Sequence, residues 1–132
     1  MITQDDIDSV ATDLTGTDMD LYQQKAKSFA IYDKSFKLVY PALGLASEAG
    51  EVADKVKKWM RDGRMNKLEI AKEIGDTLWY ASLAADDLGY TLSEIALLNL
   101  EKLDKRKKSG KIKGPEVTLP VLNATGTGPF GS

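Results

Sequence analysis

Two short stretches decide the fold of this chain: Gly44-Leu45-Ala46-Ser47-Glu48-Ala49-Gly50-Glu51-Val52 and Lys72-Glu73-Ile74-Gly75-Asp76-Thr77-Leu78-Trp79-Tyr80. Each carries two carboxylates three residues apart in a segment of helical periodicity. Residues i and i+3 share a helix face, so Glu48 with Glu51, and Glu73 with Asp76, point the same way. Two such pairs brought together make an oxygen-rich cage for a hard divalent cation.

Working outward, Pro41 suits the first turn of the helix that carries the first pair, where its missing N–H costs nothing. That helix is expected to run to about Arg61 and stop at Gly63. Its apolar stripe is Ala46, Ala49, Ala53, Val56 and Met60. Asn66, with Glu69 three residues on, opens the helix of the second pair. The stripe there is Ile70, Ala71, Ile74, Leu78, Ala81, Ala85 and Leu88, and Gly89 ends it. Thr91 and Glu94 repeat the capping pattern for a further helix carrying Ile95, Leu98 and Leu103, which Gly110 stops. Upstream, Asp20 to Tyr32 reads as helix, with Tyr22, Ala26, Phe29 and Phe36 near helical spacing. A short acidic helix is expected over residues 3–13. Residues 114–132, with three prolines and four glycines, read as an extended, non-helical arm. The fold class is therefore all-α: a bundle of four to five helices with a C-terminal arm.

Placed on helical wheels with each stripe as zero, Glu48 lies ~90° and Glu51 ~150° to one side. Glu73 and Asp76 fall at ~110° and ~170° in the same sense. In an antiparallel hairpin these equal offsets put both pairs beside one groove, nearly level about the Gly63 turn. Gly44, Gly50 and Gly75 are helix-interior glycines at ~1 kcal/mol each against alanine; close helix contact and room for a ligand both explain them.

Composition narrows the chemistry. The 132 residues fit one domain, with 42% apolar residues and a net charge of -2. There is no cysteine and no histidine. That excludes disulfides, thiolate nucleophiles, Ser-His-Asp triads, HExxH zinc sites and Glu-x-x-His iron sites. What remains is carboxylates, Lys, Arg, hydroxyls and a metal. No apolar run reaches the ~20 residues of a membrane span, and residues 1–20 are acidic, unlike a signal peptide. A soluble cytoplasmic protein without membrane or nucleic-acid partners is the expectation. The stretch 102–113 holds seven Lys or Arg against one acid, Asp104. A solvated helix C-terminus and an anion contact both account for it.

The run from Tyr40 to Lys58, followed by Lys72 to Tyr80, resembles the MazG-like nucleoside triphosphate pyrophosphohydrolases. Their signature is Glu-x-x-Glu, a spacer, then Glu-x-x-Asp. Asn99-x-x-Lys102-x-x-x-Arg106 is similar to the family's downstream element, and Tyr22-Gln23 to its opening. The resemblance covers about Asp20 to Lys113. It implies a helical catalytic domain over 20–113, flanked by an acidic extension (1–19) and the arm (114–132). It also implies hydrolysis of a nucleoside triphosphate between the α and β phosphates, dependent on Mg²⁺ with Mn²⁺ as a substitute, by a homodimer or dimer of dimers. Glu48, Glu51, Glu73 and Asp76 would then be metal ligands, with Glu48 or Glu51 as the proton acceptor. Asn99, Lys102 and Arg106 would face phosphate. Lys58 is a further substrate candidate against the reading of a solvated surface lysine. Trp59, Trp79 and Tyr80 are either core residues or, one of them, a stacking partner for the base. The rival class is a non-catalytic helical oligomerisation module.

Overall fold

The computed structural model describes residues 18–111. They form α1 (Met19–Lys27), a 3₁₀ turn (Lys34–Phe36), α2 (Val39–Asp62), α3 (Lys67–Asp87) and α4 (Leu92–Lys108), with no strand among the described residues. The helix expected over 3–13 and the C-terminal arm lie outside them.

The helix starts follow the polar caps in the sequence. Asn66 Oδ1 accepts from the Glu69 amide at 3.1 Å. At Thr91 the capping box closes both ways: the Glu94 amide donates to Thr91 Oγ1 (3.1 Å) and the Thr91 amide to Glu94 Oε2 (3.0 Å). Helix α2 has no side-chain cap. Its entry is Leu38 at φ 62°, a strained conformation for a branched residue. Two short bonds hold it: the Leu38 amide donates to Asp87 Oδ2 and the Val39 amide to the Lys37 carbonyl, both at 2.7 Å. Gly63 ends α2 at φ 73°, its amide on the Trp59 carbonyl at 2.8 Å.

Helix α1 stops at Lys27, five residues short of the expected Tyr32. The Ser28, Phe29 and Ala30 amides bond three residues back, and Ser28 Oγ donates to the Lys25 carbonyl at 2.6 Å. This tightens the last turn and frees the chain to reach α2. Phe29 and Phe36 accordingly leave the expected stripe and are exposed.

The long α2–α3 hairpin is the main packing unit. The apolar stripes are only in part its inner faces: Val56 of α2 and Ile70, Ala81 and Ala85 of α3 are buried or partly buried. Ala46, Ala49, Ala53 and Met60 of α2 are exposed, as are Ala71, Ile74 and Leu78 of α3. The less exposed positions of α2 are Pro41, Gly44, Leu45, Glu48, Val52, Asp54, Lys55, Val56 and Trp59, a helical repeat that shares only Val56 with the stripe. The pivot is Gly44: a Cβ there would overlap the Tyr80 ring. A glycine facing a tyrosine thus lets the helices approach closely along this seam and leaves much of the stripes outside. Gly50 and Gly75 face open space within the chain.

Helix α1 ties the far end of α3 to α4. Gln23, buried, donates through Nε2 to the carbonyls of Ser82 and Tyr90, both at 3.1 Å, and accepts from the Leu92 amide at 2.9 Å. The Trp79 indole donates to the Ala26 carbonyl at 3.0 Å. The buried apolar core is small: Ala26, Trp59, Leu83, Ala85 and Leu92. Beyond Ala96, helix α4 is exposed on every side. No helix among the described residues is long and apolar enough to cross a membrane.

Candidate metal centre

Glu48 of α2 meets Glu73 and Asp76 of α3 in the middle of the seam. One carboxylate oxygen of each lies within 4.8 Å of the other two. Both helices position the group: Glu48 sits one turn beyond Gly44 on the inward repeat, and Glu73 and Asp76 precede Tyr80 by about two turns and one turn. Glu48 and Glu73 are half-buried, and Asp76 is exposed. Partial burial first, then the charges of Asp76, Glu73 and Glu51, push the Glu48 carboxyl above its ordinary value. The cluster is therefore rich in negative charge, hard in its donor atoms and open on one side. Those properties fit a small divalent cation that keeps waters and takes phosphate oxygens.

Glu51 stands apart. It is exposed and acts on Glu48 and Lys58 through space, outside the group of three. Lys58 is half-exposed and bonded to Asp54 Oδ2 at 2.6 Å. Asp54 also takes Lys57 at 2.7 Å, and the two ammonium groups bring its carboxyl down to about 2. Trp79 is committed to α1 through its indole N–H, while Trp59 is buried in the hairpin. Asn99, Lys102 and Arg106 are exposed on the outer part of α4; no hydrogen bond or ion pair among the described residues joins them to the acidic cluster.

Two sets of neighbours go beyond the sequence reading, which singled out Trp79 and Tyr80 but not Tyr32, Tyr40 or Lys55 beside the site. The first is aromatic. Tyr80 tilts against Tyr40 (centroids 6.4 Å apart) and Trp79 (4.8 Å), and Tyr40 stacks on Tyr32 (5.1 Å). The Tyr80 hydroxyl is pushed up by burial, by Tyr40 and by the charges of Glu48 and Asp76. Tyr22 is raised by burial and by Asp76. Tyrosines from α1 and α3 thus flank the carboxylates. The second is Lys55, whose Nζ lies 3.7 Å from Glu73 and 3.9 Å from Glu69. Its signal was present: Lys55 is seven residues after Glu48, on the same helical face.

Comparison with known proteins gives the family. The family described as "MazG nucleotide pyrophosphohydrolase domain" matches residues 41–110, the segment from the start of α2 to the end of α4. A protein of Mycobacterium phage L5 called "Gene 37 protein" is 39% identical over 107 residues, covering 73% of this chain and 94% of that protein. No solved structure matches. The chain belongs to the MazG nucleotide pyrophosphohydrolase family.

Proposed function

We propose that this protein hydrolyses nucleoside triphosphates between the α and β phosphates, in a Mg²⁺-dependent reaction that Mn²⁺ also supports. The observation that carries this reading is the meeting of Glu48, Glu73 and Asp76 across the α2–α3 seam, in a family of nucleotide pyrophosphohydrolase domains. These three carboxylates would hold the cation, with Glu51 closing on it from the exposed side. The cation, when bound, supplies charge neutralisation for phosphate and acidifies a water.

The chain's own residues do the rest. In the overall reaction a water oxygen bonds to the α-phosphorus, the bridging P–O bond to the β-phosphate breaks, and its electron pair leaves with pyrophosphate. The chain has no histidine, so a carboxylate accepts the water's proton. Glu48 or Glu51 would take that role. Tyr40 and Tyr80 wall the site on one side and offer ring faces to a base.

Assembly belongs to the same proposal. Exposed stripes on α2 and α3, together with Leu97, Leu98, Leu100 and Leu103 of α4, leave more apolar surface than a monomer normally shows. A homodimer or dimer of dimers would cover it. Asn99, Lys102 and Arg106 would then be brought to the phosphates by the packing of α4. The catalytic unit is residues 20–113.

The test is incubation with a panel of nucleoside triphosphates and Mg²⁺, assayed separately for pyrophosphate and orthophosphate. Pyrophosphate with an equal amount of nucleoside monophosphate, abolished by EDTA, is the expected result. Orthophosphate as the first product, or full activity in EDTA, overturns the reading.

A further inference from the structure

The seam does not end at the carboxylates. At the hairpin turn it opens into a cavity of ≈ 310 Å³, to which Lys55, Lys58, Trp59, Arg64 and Asn66 contribute. Lys55 belongs to both regions: it lines the cavity and lies 3.7 Å from Glu73 of the acidic cluster. Cavity and cluster are therefore contiguous, with Glu69 one turn and Asn66 two turns below Glu73, ~6 and ~10 Å along the helix.

The cavity is cationic in balance. Three cations, Lys55, Lys58 and Arg64, line it with two acids: Asp62 is met by Arg61 at 2.6 Å, and Glu69 by Lys72 at 3.0 Å and Lys55 at 3.9 Å. Arg64 forms no ion pair or hydrogen bond among the described residues and acts on Asp62 only through space. Lys58 shares Asp54 with Lys57, so one carboxylate serves two ammonium groups.

The seam thus has a direction. Tyr40 and Tyr80 lie at one end against Gly44, the carboxylates in the middle, and Lys55, Lys58 and Arg64 at the turn. A nucleoside triphosphate has the same polarity: an aromatic base, the α-phosphate where the bond breaks, then the most highly charged part. Building on the hydrolase reading above, we propose that the turn cavity is the pyrophosphate subsite. It takes the β and γ phosphates and keeps the leaving group, while the nucleoside lies toward the tyrosine end. Lys55 positions this end of the substrate by turning from Glu73 to phosphate oxygen once a cation neutralises the cluster. Arginine and lysine suit this because charge-assisted bonds to phosphate are short and strong.

The probe is inorganic pyrophosphate, titrated calorimetrically into the full chain in Mg²⁺ buffer, beside a nucleoside monophosphate. Three proteins are compared: wild type, Arg64→Glu, and Lys107→Glu as a control for net charge. Arg64 is an exposed turn residue, so the fold does not depend on its charge. Pyrophosphate affinity is expected to fall at least tenfold in Arg64→Glu and less than twofold in Lys107→Glu, with monophosphate affinity unchanged in both. The subsite is overturned if wild type does not bind pyrophosphate, if Arg64→Glu binds it equally well, or if monophosphate affinity falls in parallel. Hydrolysis is scored separately. Pyrophosphate binding that needs Arg64 in a protein without turnover removes the catalytic reading and keeps the subsite. Turnover with Arg64-independent pyrophosphate binding removes the subsite alone.

Discussion

The α2–α3 hairpin and helix α4 use their side chains in opposite ways. In the hairpin, charged and aromatic residues share the seam with Leu45, Val52 and Val56, while Ala46, Ala49, Ala53, Ala71, Ile74 and Leu78 of the stripes face outward. Helix α4 is anchored by its first turn, through Leu92 and its bonds to α1; its leucines and its basic end then stand clear. The hairpin gathers the carboxylates, and α4 presents surface. A hydrophobic stripe therefore does not always mark the side on which a helix meets its own chain.

The contrast is broken most strongly at the cluster. Asp76→Asn and Glu73→Gln are expected to lower kcat by about a thousandfold, or ~4 kcal/mol in the transition state, with unchanged helical content by circular dichroism. Turnover near wild type in either variant would remove that residue from the site. Next is the anchor of α4. Gln23→Leu removes the buried amide that joins α1 to the Ser82 and Tyr90 carbonyls and to the Leu92 amide, and should destabilise the protein by ~2–4 kcal/mol, read by urea unfolding. Little change would show that α4 does not depend on α1.

Gly44→Ala pushes a methyl group into the Tyr80 ring. A loss of ~1–3 kcal/mol is expected, largely restored by adding Tyr80→Ala. If the double variant is no better than the single one, the close approach is not what fixes the seam. On α4, Lys102→Ala and Arg106→Ala should each change stability by under ~1 kcal/mol, as helix-end cations do, yet raise KM for the triphosphate. A lowered melting temperature with unchanged kinetics would leave them as helix-end charges.

The smallest effect is at Tyr32. Burial first, then its hydrogen bond to Asp87 at 2.8 Å, pushes its hydroxyl up to about 12 from 10. A folded pKa above the unfolded one gives stability that is full below pH 10 and lost as pH rises toward 12. Melting temperature over that window should fall less steeply in Tyr32→Phe than in wild type. Equal slopes would show that the bond does not couple folding to this proton.

Much of this was legible in the sequence because local signals carried it. Caps at Asn66 and Thr91, the stop at Gly63 and the two Glu-x-x-acid spacings each act within one helical turn. The wheel reading placed both pairs beside one groove, and three of the four carboxylates do meet. Its premise held only in part: Gly44 lies close against Tyr80, thirty-six residues apart, and much of the α2 stripe stays outside. Lys55 was passed over because a lysine after an acidic motif looks like any solvated lysine until the opposite helix puts Glu69 and Glu73 beside it. The end of α1 was overestimated because nothing in Ser28–Tyr32 forbids helix; the path to Leu38 and Asp87 ends it.

The most direct measurement is Mn²⁺ binding, followed by the electron paramagnetic resonance signal of the free ion. Wild type and a Glu48→Gln/Asp76→Asn double variant are titrated without nucleotide. A metal centre in the α2–α3 seam predicts that wild type removes Mn²⁺ from solution and that the double variant, equally helical, leaves it free. Equal binding by the two proteins would contradict it and place the cation elsewhere.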